Sequence, residues 1–164
     1  MDAMQNFDLS LFHSYDSSWE RTFFDERTGG FLVTSLMRIG EAFKSKNNRL
    51  VFLKERQMCI KLATFGFQVE HLYEIPGLSS PDIGIRRHGS YAKIRGKTAE
   101  LKQLSSSNRV YKEGINARYR KKADLLIIEF TKQAPKIARE IGRLSDKGIH
   151  GYYFFSEDKC YTSF

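Results

Sequence analysis

Residues 123–130 read Ala-Asp-Leu-Leu-Ile-Ile-Glu-Phe, a nearly unbroken apolar run of strand length. A strand with one wet face would alternate apolar and polar residues. A run that stays apolar at successive positions belongs to a strand covered on both faces. Such a strand needs helices packed on either side of its sheet, and the neighbouring sequence supplies them. Ser105 to Asn108 offers side-chain oxygens to cap a helix from about Arg109 to Lys122. Lys132 to Lys147 carries Ile137, Ile141 and Leu144 at helical spacing before Gly148 stops it. The expected class is α/β, a mixed β-sheet flanked by helices.

The chain upstream fits that plan. Thr22 to Phe24 and Phe31 to Thr34, joined by the loop Asp25 to Gly30, read as a β-hairpin, and Met37 to Phe43 as a short helix. Leu50 to Phe65 is a longer helix with Gly66 placed as its cap. Phe67 to Tyr73 follows as a strand, then a turn over residues 76–80 and a strand from Ile83 to Arg87. His88-Gly89-Ser90 looks like a hairpin tip, after which Ala92 to Arg95 and Lys97 to Leu104 continue the sheet. His150 to Phe155 and Lys159 to Phe164 close the chain as strands, and the polar residues 1–18 read as a loose arm. This gives an N-terminal arm and hairpin/helix extension over 1–48 and a main domain over 49–164.

Charge narrows the function. Residues 1–80 hold nine Lys/Arg against ten Asp/Glu, whereas residues 86–143 hold sixteen against five. A basic half-chain fits a polyanionic partner, nucleic acid above all. A membrane role is not expected: no apolar run is long enough to span, and no basic segment carries a Trp/Leu-rich face. Cys59 and Cys160 lack metal-ligand spacing and fit reduced thiols in a cytoplasmic compartment. The four histidines, 13, 71, 88 and 150, show no zinc spacing, and structural roles suit His71 and His88 best. Phosphate-binding, dinucleotide and serine-hydrolase loop signatures are absent from the sequence, as are internal repeats.

Within the basic half lies an acid–acid–lysine constellation. Pro81-Asp82 is followed, after seventeen intervening residues, by Glu100-Leu101-Lys102. On a strand Glu100 and Lys102 share one face while Leu101 takes the other. If Ile83 to Arg87 and Thr98 to Leu104 are neighbouring strands, Asp82 approaches the same point. Two converging carboxylates make a hard oxygen site suited to Mg²⁺ or Mn²⁺, and an adjacent lysine can steady developing negative charge. Glu55 occupies an i, i+4 place in the apolar stripe Val51, Met58, Cys59, Leu62 of its helix. It either pairs at the stripe's edge with Lys54 or Arg56 or faces the metal site; Glu70 and Glu74 are weaker candidates. On the helix after the motif, Arg109, Lys112, Asn116 and Arg120 fall near one face suited to phosphate contacts. Tyr111, Ile115 and Tyr119 fall on another, where the tyrosines either stack on bases or pack.

Pro81, Asp82, Glu100, Leu101 and Lys102 resemble the motif of the PD-(D/E)xK nuclease superfamily, and the resemblance covers roughly residues 50–155. Three stretches, Pro81 to Ile83, Ala99 to Leu104 and Ala123 to Ile128, look most like one branch. That branch comprises the toxin-type nuclease domains of contact-dependent inhibition proteins, also found joined to phage minor head proteins. Gly148 to Tyr153 also looks like it. The resemblance implies a restriction-endonuclease-like core and Mg²⁺ or Mn²⁺, with Zn²⁺ as a further option. It implies Asp82 and Glu100 as ligands, with Glu55 resembling the extra acid that a preceding helix often contributes. Lys102 is then catalytic base or charge stabiliser, and Gln103 a candidate for orienting substrate. RNA, tRNA in particular, is favoured over DNA, and an acidic immunity-type protein is an implied partner. Two readings of other kinds stay open: a non-catalytic nucleic-acid-binding module, and an interaction domain whose basic face docks an acidic protein.

Overall fold

A computed structural model describes residues 9–75, 77–88 and 97–164. Its class is the mixed α/β one expected, with eight strands set in the sheet in chain order and helices flanking them. Contacts group the chain into two compact units, one of Met1–Tyr73 with Gly84–Gly96, the other of Glu74–Ile83 with Lys97–Phe164.

In the first unit, β1 (Trp19–Phe24) and β2 (Phe31–Ser35) form the expected antiparallel hairpin, with a register shift between Arg21 and Phe23. Helices α2 (Leu36–Ala42) and α3 (Lys46–Thr64) carry the chain across to β3 (Phe67–His71), which runs parallel to β2. Parallel neighbours need such a crossover. The helix α3 starts four residues earlier than the apolar pattern implied, because Ser45 caps it: its hydroxyl accepts from Asn48 N at 3.0 Å. At its other end Gly66 takes φ +99°, where a side chain would be strained. Within this unit α2 lies on α3, and β2 pairs with β3.

The arm holds a short helix that the polar pattern hid, α1 (Ser10–Ser14). Phe12 packs its ring 5.3 Å from that of Phe31, and the Arg21 guanidinium donates to the carbonyls of Phe12, His13 and Tyr15. Those carbonyls are what a helix end leaves without partners. Strand β4 (Ile83–His88) follows. The expected hairpin tip beyond His88, the strand over 92–95, residues 1–8 and Pro76 of the expected turn lie outside the described residues.

In the second unit, β5 (Lys97–Leu104), β6 (Leu125–Phe130) and β7 (Gly151–Phe155) are parallel, and β8 (Thr162–Ser163) is antiparallel to β7. The apolar run 123–130 is the middle of these, as its composition required. Its Leu126, Ile128 and Phe130 pack with Val110 and Ala117 and with Ile137, Ile141 and Leu144 of helix α5 (Ile137–Asp146). Each such burial contributes about 1.5–3 kcal/mol over leaving the side chain exposed. The strand over 159–164 shrinks to the two residues of β8. Helix α5 begins at Ile137, not Lys132: Pro135 disfavours helix at the residue before it, and Lys136 turns left-handed at φ 68°. The helix expected over 109–122 divides into α4 (Val110–Ile115) and a π-helical turn, Asn116–Arg120. The serine-rich cluster does not cap α4 by side chain; the Ser107 carbonyl accepts from Val110 N at 3.2 Å instead.

Candidate active site

The second unit assembles the motif. Strand β5 turns Glu100 and Lys102 to one face, and Glu100 is 1% exposed. Asp82 is laced to the same strand by its backbone and side chain: its N donates to the Ala99 carbonyl at 3.1 Å, and its Oδ2 accepts from Leu101 N at 2.8 Å. Asp82 therefore sits beside Glu100 because the strand's own amide fixes it there. Lys102 Nζ lies 2.8 Å from Glu100 Oε1, and Lys121 Nζ lies 4.0 Å from the same oxygen. The other carboxylate oxygen, Glu100 Oε2, is buried with no hydrogen-bond partner.

Both ammonium groups are held in their charged form. Burial opposes the charge on Lys102, but the hydrogen bond it donates to Glu100 and the fields of Glu100, Asp82 and Glu113 outweigh it and raise the pKa. Lys121 is raised the same way, by Glu74, Glu100 and Asp82 against burial. Each lysine feels both motif acids, so the four charges act as one centre.

The donors suit a hard divalent cation carried by two carboxylates and water. A buried carboxylate oxygen without a partner is costly, and a cation would satisfy Glu100 Oε2. Mg²⁺ and Mn²⁺ accept one or two carboxylates while keeping waters. Zn²⁺ asks for three or four N, S or O ligands, and no group of three or more His, Cys, Asp or Glu among the described residues could hold a metal.

The remaining candidates are engaged elsewhere. Glu55 lies in the first unit, where its Oε2 takes Arg38 Nη2 at 2.5 Å and His71 Nε2 at 2.9 Å. Neither Lys54 nor Arg56 is its partner; Arg56 reaches Glu20 at 3.2 Å. His71 is fully buried, stacked on Phe52 at 5.4 Å, a structural role as expected. Glu70 pairs with Arg86. Gln103 Nε2 donates to Glu129 Oε2 at 3.1 Å. Arg109 is exposed but its guanidinium is bound to Glu113. Lys112 and Arg120 are exposed and Asn116 half-buried; Tyr119 is 68% exposed, whereas Tyr111 packs on the core beneath Arg143.

Two residues escaped the sequence reading. Glu113 is 3% exposed and lies 3.9 Å from Lys102. Its signal was its place in the stripe Val110, Gly114, Ala117, where an acid among buried small residues demands partners. Lys121 is the other; in the sequence it is merely one of several consecutive basic residues.

No family model and no curated protein matches the chain. Among solved structures it is similar to a CdiA-CT/CdiI toxin and immunity complex from Burkholderia pseudomallei. The TM-score is 0.53 at 15% identity, over 74% of this chain and 89% of that one. The likeness is one of fold. It leaves the chemistry to this chain's own residues. Among the described residues, no helix is long and apolar enough to cross a membrane.

Proposed function

We propose that the chain is a metal-dependent endonuclease of toxin type, resembling the PD-(D/E)xK nucleases, that hydrolyses phosphodiester bonds of RNA, tRNA ahead of DNA. The observation that carries this reading is Glu100: a buried carboxylate with one oxygen on Lys102 and the other unpartnered, next to Asp82. Asp82 and Glu100 would hold Mg²⁺ or Mn²⁺. A cation there supplies Lewis acidity and an activated water. In the reaction water adds to phosphorus, the P–O ester bond breaks, and the leaving oxygen takes a proton. Lys102, kept protonated by its acids, suits stabilising the phosphorane-like charge rather than serving as base. Glu55 would join the ligands only by giving up Arg38 and His71, so the reading rests on Asp82 and Glu100.

The basic balance of residues 86–143 supports a polyanionic substrate and, equally, an acidic immunity-type protein that would cover the same face. The similar toxin is bound to its immunity protein, which supports a partner of that kind. Asp82→Ala and Glu100→Gln should each remove both cleavage and Mn²⁺ binding followed by electron paramagnetic resonance; cleavage retained by either variant would sink the proposal.

One observation favours a second reading, a non-catalytic nucleic-acid-binding module: two lysines neutralise Glu100. Steeply salt-dependent, metal-independent binding without cleavage would select it.

A further inference from the structure

We propose that Lys121 is a phosphate-binding residue of the Asp82–Glu100 centre, a second cation beside Lys102 that grips the polyanionic substrate. The inference rests on the nucleic-acid reading above. Its first support is the backbone. After α4 the chain makes the π turn Asn116–Arg120: Lys121 N donates to the Asn116 carbonyl five residues back at 3.0 Å, and Ala123 N reaches the Ala117 carbonyl at 2.9 Å. Lys122 then adopts φ 55°, a left-handed conformation on a residue with a side chain. Both departures cost conformational energy and tend to persist where a side chain must be aimed. Here the side chain aimed is Lys121.

The second support is what its ammonium touches. Nζ lies 2.9 Å from Glu74 Oε1, 3.3 Å from the Ser80 carbonyl and 4.0 Å from Glu100 Oε1. Lysine has three donors, and Glu74 and Ser80 occupy two. The Glu74 side chain is 42% exposed, so that pair is solvated and contributes little; exchanging it for a phosphate oxygen costs little too. Lys102 differs, being bound to the buried Glu100. The third support is the surrounding charge. Arg118, Tyr119 and Arg120 of the same turn are exposed, giving a cationic, aromatic approach to a half-buried ammonium at its end.

A structural alternative is that Lys121 merely tethers the segment carrying Glu74, Ser80 and Asp82, and the test separates the two by sign. Binding of a fluorescently labelled tRNA is measured by anisotropy in EDTA between 50 and 300 mM KCl, so that no cleavage is needed. Lys121→Gln should flatten the slope of log K against log salt by roughly one and weaken binding about five- to tenfold at 0.1 M salt. Lys121→Arg should restore both, and Lys147→Gln, on the exposed end of α5, should leave binding within about twofold. Glu74→Gln removes the competing carboxylate and should tighten binding, an effect that disappears in the Lys121→Gln background. An unchanged slope, weaker binding by Glu74→Gln, or no tRNA binding by the wild type overturns the proposal. If the slopes behave as stated while no metal supports cutting, the nuclease reading fails and the role of Lys121 stands.

Discussion

Lys102 Nζ and Glu100 Oε1 sit 2.8 Å apart on one face of β5, two residues from each other along the strand. The pair is asymmetric: Glu100 is buried, whereas the Lys102 side chain keeps 28% of its exposure. Removing the lysine therefore strands a buried carboxylate, with Lys121 too far to replace it fully. Lys102→Met should abolish cleavage and also lower stability by about 1–3 kcal/mol, less than for a wholly buried pair. Urea unfolding and a cleavage assay on the same preparation check both; full activity or unchanged stability would contradict the assignment.

Asp82 has two separable duties. Its Oδ2 accepts from Leu101 N, which an asparagine can still do, and its charge serves the centre. Asp82→Asn should keep stability within about 0.5 kcal/mol yet lose at least about a hundredfold in rate, while Asp82→Ala should add a stability loss of about 1–2 kcal/mol. Equal stability losses in the two variants would show that the hydrogen bond does not position Asp82.

Glu55 gives the first unit a pH dependence. Burial pushes its pKa up, but the hydrogen bond to His71 and the Arg38 guanidinium outweigh it and hold the carboxyl below the usual range. A lowered folded pKa contributes stability that is present above the unfolded value and lost as pH falls through the folded one. Glu55→Gln should cost about 3 kcal/mol at pH 7 and flatten the acid limb of stability against pH. Chemical denaturation at pH 7 and across the range below pH 4.5 reads both; an unchanged acid limb would remove Glu55 as its source.

Gly151 admits no side chain. A Cβ there would lie 1.7 Å from the Leu126 carbonyl oxygen of the neighbouring strand β6. Gly151→Ala should destabilise by about 2–3 kcal/mol, visible as a lower thermal midpoint. A midpoint within error of wild type would mean that β7 can shift away without cost.

Much of this fold was legible because its signals are local. The apolar run of β6, the stripe Ile137, Ile141, Leu144, and Gly66 and Gly148 as stops each declare themselves within one or two turns of chain. The acid–acid–lysine centre was legible because β5 alternation and one adjoining acid specify it. What was hidden depends on partners distant in sequence. Helix α1 exists because Arg21 and Phe31 meet it, and Glu55 is claimed by Arg38 and His71 rather than by its helical neighbours. The π turn was illegible for another reason: its residues have no composition that distinguishes it from α-helix. Lys121 was missed with it, since an extra residue in the turn decides where that ammonium points.

The most direct measurement is cleavage of tRNA, other RNA and plasmid DNA by the purified protein in Mg²⁺, Mn²⁺ or EDTA, beside Lys102→Ala. The account predicts cutting of tRNA that requires the metal, stops in EDTA and is lost in the variant. Cutting that persists in EDTA or in Lys102→Ala, or no cutting of any substrate with either metal, would contradict it.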